Sequence, residues 1–220
     1  MMRELQSARR GVAPGAATSV VVFVHGYGAD GADLLGLADP LAPHLPGTAF
    51  YAPDAPERTT GNGFGRQWFS IPWLDGSDEA DSRAGLLRAA EDLNGFLDRI
   101  MAEEGIGPEA LALVGFSQGA MMSLHVAPRR DVALAGVVAI SGRLLGPELL
   151  MAEAGVKPPV LLIHGDQDPV VPFADMSLAG DALLGAGFEV FGHVMQGSGH
   201  GIAPDGLGVA LQFLRERLPG

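Results

Sequence analysis

Several short stretches of this 220-residue chain are apolar at nearly every position instead of at alternate ones. They are Ser19–Val24, Thr48–Tyr51, Ala110–Val114, Ala133–Ile140, Pro159–Ile163 and Phe188–Val194. Continuous apolar runs of this length are the mark of strands buried on both faces, as in a parallel sheet. Helical patterns separate them. In Asp81–Glu104 the residues Leu86, Ala90, Leu93, Leu97 and Ile100 fall on one stripe, and Gly105 with Gly107-Pro108 ends the run. Gly119–Val126, Pro172–Leu184 and Pro204–Leu218 give three more helices. Strand and helix alternate over short connections. This predicts an α/β fold with a mostly parallel central sheet and helices on both faces. No repeat, charge block or linker divides the chain, so residues 1–220 read as one domain, with 1–18 as an irregular N-terminal segment. The segment Asp54–Asp78 has no clean period. It carries Gly61, Gly63, Gly65, Trp68 and Trp73, and reads as a long loop over the sheet edge, where binding residues concentrate.

Composition narrows the function classes. Hydrophobic residues make up 47% and charged residues 18%, enough apolar material for a sizeable core. Lys+Arg is 14 against Asp+Glu 26, a net charge of −12, which argues against a nucleic-acid partner and against docking on anionic lipid. Cysteine is absent, which removes disulfides, Cys-ligated metals and a thiol nucleophile. No pair of histidines has metal-ligand spacing on a helix face, so no metal is expected. The longest apolar run is far short of the roughly 20 residues a span needs. Arg3, Arg9 and Arg10 ahead of Val20–Val24 resemble a weak signal peptide. Pro14 and Gly15 interrupt that pattern, and a buried strand followed by a cytoplasmic protein is the expectation.

Two glycine motifs compete. Gly26-Tyr27-Gly28-Ala29-Asp30-Gly31 fits the dinucleotide fingerprint G-x-G-x-x-G after a strand, with Asp54 23 residues beyond its last glycine. In a chain with 32 glycines the match carries little weight, and Gly36 and Pro40 interrupt the helix that should follow. An oxidoreductase using this loop is the alternative from a different class. Gly115-Phe116-Ser117-Gln118-Gly119 fits G-x-S-x-G between a strand and helix formers, the strand–turn–helix context that lifts a nucleophilic serine above a sheet. A serine needs a base and a group to orient it. Asp168 lies 51 residues after Ser117, and His200 32 residues after Asp168. Each sits in a loop after a strand, in the chain order Ser, acid, His. Asp166 is the neighbouring carboxylate, and His193, inside a strand pattern, is the competing histidine.

His25-Gly26-Tyr27-Gly28, the Ser117 motif, His164-Gly165-Asp166-Gln167-Asp168-Pro169-Val170-Val171-Pro172 and Gly199-His200 together resemble the phospholipase/carboxylesterase family of α/β-hydrolases, its bacterial carboxylesterase branch in particular. Arg66-Gln67-Trp68-Phe69 resembles that branch's loop motif. The resemblance runs from about Ser19 to the C-terminus. It implies a hydrolase with no large lid and no cofactor, which cleaves short- to medium-chain carboxylic esters or thioesters. Acyl-protein thioesterase or lysophospholipase-type activity is the close alternative, and a homodimer is expected. It assigns Asp168, not Asp166, as the acid. It places the oxyanion-binding N–H groups at Tyr27 and Gln118. Trp68, Phe69, Trp73 and Leu145 are candidate linings of the acyl pocket. His25 is expected to be structural, and Arg143 exposed or paired with a loop carboxylate.

Overall fold

The computed structural model describes residues 2–59 and 65–219. In chain order its regular elements are β1 (Ser7–Gly11), β2 (Ser19–Val24), α1 (Gly31–Leu35), α2 (Ala38–Leu41), β3 (Thr48–Pro53), β4 (Glu57–Arg58), β5 (Arg66–Gln67), α3 (Pro72–Asp75), α4 (Glu79–Glu104), β6 (Leu111–Phe116), α5 (Gln118–Val126), β7 (Gly136–Ile140), α6 (Leu150–Glu153), β8 (Val160–Gly165), α7 (Ala174–Gly185), β9 (Val190–Met195) and α8 (Pro204–Arg217), joined by short 3-10 turns. Seven strands form one sheet in the order β1-β3-β2-β6-β7-β8-β9. β1 runs antiparallel to β3, and every other pairing is parallel.

The apolar runs are continuous because the sheet is covered on both sides. Val20, Val22 and Val24 of β2 face a layer that includes Leu93, Leu97 and Ile100 of α4, Met121 and Leu124 of α5 and Leu183 of α7. Val21 and Phe23 face the other layer, with Leu34 and Leu35 of α1, Leu41 of α2, and Phe213 and Leu214 of α8. Strand side chains point alternately up and down, so a strand with no polar face needs cover on both. The α/β expectation therefore holds, and the four expected helices lie within about two residues of their places.

The N-terminal expectation is corrected. Residues 1–18 are not all irregular: Ser7–Gly11 adds the edge strand β1, with Arg9 opposite Tyr51. Its SARRG sequence is mostly exposed and carries no apolar run, so nothing in its pattern marks a strand. Ion pairs hold it and the chain before it. Arg3 reaches Asp92 at 2.7 Å and Arg9 reaches Glu104 at 2.7 Å, both partners on α4. Gly61, Gly63 and the rest of 60–64 in the long loop lie outside the described residues.

Candidate active site

The carboxyl ends of β2, β6, β8 and β9 lead into the loops that carry the site, as expected for ligand sites in open parallel sheets. Ser117 sits at the turn from β6 into α5 with φ +54° and ψ −117°. This positive-φ conformation is uncommon for a residue with a side chain and is held here by its surroundings. Its own N–H donates to Ile140 O at 2.9 Å. The flanking glycines are dictated by close approach. A Cβ on Gly119 would lie 1.8 Å from Val24 O, and one on Gly115 would lie 2.3 Å from Gly119 O. Among the described residues, Ser141, just after β7, is the other non-glycine residue with positive φ (+50°). The next residue, Gly142, lies so close to the elbow that a Cβ there would come 3.1 Å from Ser117 O.

Three side chains from three loops meet at the serine. His200 Nε2 lies 3.0 Å from Ser117 Oγ, and His200 Nδ1 lies 2.7 Å from Asp168 Oδ2. The Asp168 carboxylate is shut off from solvent, at 0% side-chain exposure. Its Oδ1 accepts the Val170 and Val171 N–H groups at 2.8 and 3.0 Å. Burial alone would raise its pKa. The bond to His200 and these two N–H bonds outweigh burial and hold the carboxyl below its ordinary range. An ionised carboxylate only accepts, so the proton between His200 and Asp168 sits on Nδ1, leaving Nε2 free to accept from the serine hydroxyl. The Phe116 ring packs on His200 with centroids 4.9 Å apart. The rejected candidates are engaged elsewhere: Asp166 accepts from Gly197 N–H at 2.7 Å, and His193 pairs with Asp205 at 2.8 Å.

The loop after β2 lies beside the serine, since a Cβ on Gly26 would be 3.2 Å from Ser117 Cβ. Gly28 N–H donates to Arg66 O and Arg66 N–H to Ala29 O, which fixes the loop against β5. Among the described residues, the Tyr27 and Gln118 N–H groups make no backbone bond, so both are free to serve an incoming oxygen. The dinucleotide alternative fails on the same loop. The N-terminus of α1 is occupied by carboxylates: Asp30 caps Ala32 and Asp33 N–H, and Asp54 Oδ1 accepts Gly31 N–H at 2.9 Å. A pyrophosphate would meet negative charge there, and α1 is only five residues long.

The expected pocket lining is corrected in part. Trp68 is 0% exposed and Phe69 2%, so neither side chain lines an open pocket. Trp68 is buried because its indole N–H finds an acceptor, His25 O, at 3.0 Å. Trp73 is 56% exposed, with the Arg143 guanidinium 4.9 Å from its ring centroid. Arg143 also pairs with Asp175 of α7 at 2.7 Å, as expected of a paired arginine. Leu145 is half-buried and, with Leu86, Leu87, Leu149 and His125, lines a cavity of about 190 Å³. His25 is structural, as expected: Nδ1 lies 2.8 Å from Gly26 O, and Nε2 accepts Ala55 N–H at 2.9 Å.

Two roles escaped the sequence reading. The buried Gln118 side chain clamps the long loop. Its Oε1 accepts Trp68 N–H at 2.9 Å, and its Nε2 donates to Phe69 O at 2.7 Å. His164 lies beside Asp168. The only available signals were a glutamine inside G-x-S-x-G and a histidine four residues before the acid.

A seven-stranded, mostly parallel sheet with a serine elbow after β6, an acid after β8 and a histidine after β9 defines an α/β-hydrolase. The phospholipase/carboxylesterase family matches residues 12–218, and the chain belongs to that family. It is 30% identical over 206 residues to esterase YpfH of Escherichia coli, covering 92% of this chain and 84% of that one. It is 29% identical over 215 residues to acyl-protein thioesterase 1 of Gibberella zeae, covering 92% of each. The crystal structure of esterase PE8 superposes with a TM-score of 0.91 at 44% identity, over 98% of this chain and 100% of that one. Among the described residues, no helix is long and apolar enough to cross a membrane.

Proposed function

We propose that the protein is a serine carboxylesterase that cleaves esters of short- to medium-chain acids through an acyl-enzyme. Ser117, His200 and Asp168 form its triad. The carrying observation is the continuous relay of 3.0 and 2.7 Å from Ser117 Oγ through His200 to Asp168. Ser117 Oγ attacks the acyl carbon as its proton passes to His200 Nε2. The new imidazolium faces the Asp168 carboxylate, which stabilises it and fixes its orientation. The carbonyl oxygen becomes an oxyanion between the Tyr27 and Gln118 N–H groups, each worth about 3–4 kcal/mol in the transition state. Collapse breaks the ester bond, and the proton on Nε2 goes to the departing alkoxide. Water then repeats the sequence on the acyl-enzyme, releasing the acid and restoring the Ser117 hydroxyl. Trp73 and Leu145 are the remaining candidates for contact with the acyl chain.

Thioesters are the second reading, favoured by the likeness to a protein named acyl-protein thioesterase. Initial rates on p-nitrophenyl esters from acetate to palmitate, and on matched thioesters, test both. Ser117→Ala should lower kcat by roughly 10⁴–10⁶ with the fold intact. A variant that keeps a large fraction of turnover refutes the assignment. We further propose a cytoplasmic location. The apolar stretch that imitates a signal peptide is the fully buried β2, and its loss would remove a strand beside β6. Fractionation of cells tests this, and sedimentation tests the expected homodimer.

A further inference from the structure

The triad acid has a partner that the relay itself does not require. His164 is the penultimate residue of β8, four residues before Asp168, and is 1% exposed. Its Nε2 lies 3.0 Å from Val171 O and 3.3 Å from Asp168 Oδ2. A peptide carbonyl only accepts, so Nε2 carries a hydrogen and donates it to Val171 O, while the Asp168 carboxylate lies close beside that bond. The carboxylate thus has a different hold on each oxygen. Oδ1 is pinned by the Val170 and Val171 N–H groups and Oδ2 by His200 Nδ1, while His164 fastens Val171 from its carbonyl side. The Phe173 ring meets the His164 ring edge-on at 6.0 Å and holds it in place. Asp168 is the charged group that faces His164 among the described residues. Asp166 is turned to Gly197 N–H, and Asp175 to Arg143.

We propose that His164 is a positioning residue for catalysis: its Nε2–H fastens Val171 O, which fixes the turn whose Val170 and Val171 N–H groups hold Oδ1 of Asp168 and so aim Oδ2 at His200 Nδ1. This rests on Asp168 being the triad acid. Without the donor, the turn that presents the Val170 and Val171 N–H groups loses its anchor, and the carboxylate no longer holds the His200 ring in a defined direction. A side chain kept only for packing would be replaceable by any ring of similar size. His164→Phe and His164→Gln separate the two cases. Phe keeps a ring against Phe173 and has no donor; Gln places an amide N–H close to the Nε2 position. In His164→Phe we expect kcat on p-nitrophenyl butyrate to fall at least about tenfold with KM within about twofold, since the lost interaction matters most when His200 is charged. The far-downfield proton resonance of the His200–Asp168 bond should move. In His164→Gln both should return most of the way. The proposal is overturned if folded His164→Phe keeps kcat within about twofold of wild type, or if Gln and Phe lose the same amount. Should the Phe variant not fold, Gln decides alone: a folded Gln variant that loses more than about tenfold in kcat overturns it. Ser117→Ala, run alongside, reports separately on the triad reading, because its failure to abolish turnover would remove the premise whatever the His164 variants do.

Discussion

The side chain of Gln118 links the chemistry to the long loop, and removing its polar end measures that link. Gln118→Met keeps the length and volume of the side chain and deletes both of its bonds, to Trp68 N–H and Phe69 O. All three residues are buried, so the two backbone groups lose their partners without access to water. An orphaned buried donor or acceptor costs about 1–3 kcal/mol, so the pair should cost roughly 2–6 kcal/mol. That is a large share of the about 5–15 kcal/mol that holds a domain together, and it will appear as a lower urea midpoint. The catalytic consequence follows from connectivity. Trp68 is bonded to Gln118 on one side and, through its indole, to His25 O on the other. It therefore braces both strands of backbone that present the Tyr27 and Gln118 N–H groups. Complete loss of one oxyanion donor costs about 10²–10³ in kcat, and a loosened pair should cost about 10- to 100-fold. KM should change little, because the proposed oxyanion donors would act on a charge that exists only in the transition state. A boronic acid that mimics the tetrahedral adduct should lose affinity by the same factor as kcat. A folded Gln118→Met enzyme with wild-type kcat and wild-type boronate affinity would refute the coupling, whatever its urea midpoint.

Three further outcomes follow from groups away from the reacting atoms. His125 is buried, and burial with the nearby Arg129 pushes its pKa down to about 4 from 6.5. Its folded form resists protonation, so stability is lost as pH falls from 6.5 toward 4. Between pH 7 and pH 4.5 that loss is about 2 kcal/mol, and urea unfolding of His125→Leu at the two pH values should show a correspondingly shallower decline. An unchanged decline contradicts the shift. Burial alone would raise the Glu104 carboxyl, but bonds from Arg9, Tyr51 and Gly15 N–H pull it below 4.5 overall. Its contribution is complete above about pH 4.5 and is lost as pH falls through the lowered folded value, a loss absent from Glu104→Gln. At pH 7 that variant should be less stable by roughly 3 kcal/mol, because the Arg9 guanidinium loses the carboxylate charge that offsets it. Gly119→Ala should fail to yield folded enzyme, since its Cβ would sit 1.8 Å from Val24 O; a soluble, active variant would refute that packing.

The parts of the molecule readable in advance are those whose signal is carried by the residues themselves. A strand covered on both faces must be apolar throughout, which is why Ser19–Val24 was placed to the residue. The meeting of Ser117, Asp168 and His200 was readable for a related reason. Each member sits in the loop after a strand, and a parallel sheet brings all such loops to one edge, so chain order and element type predict the meeting of residues 83 positions apart. β1 was not readable, because an exposed edge strand owes its place to β3 and to ion pairs with α4, neither of which leaves a period in SARRG.

The loop aromatics mark where this kind of reading stops. Trp68 and Trp73 lie five residues apart in the same glycine-rich segment, yet one is sealed and the other is 56% exposed. The difference is decided by partners distant in sequence. The Trp68 indole has the His25 carbonyl and its backbone has the Gln118 amide, whereas Trp73 has the surface cation of Arg143. A tryptophan can be sealed only when its N–H is satisfied. Whether an acceptor will be there depends on how two loops from different strands are set beside each other. The same dependence hides His164: a histidine next to a strand end is unremarkable until the fold returns the acid four residues later to within reach of its Nε2. Reactive groups are recognisable by type and order, but the groups that hold them are recognisable only by contact. The catalytic cost of removing Gln118 or His164 side chains is therefore the measurement that separates support from mere packing.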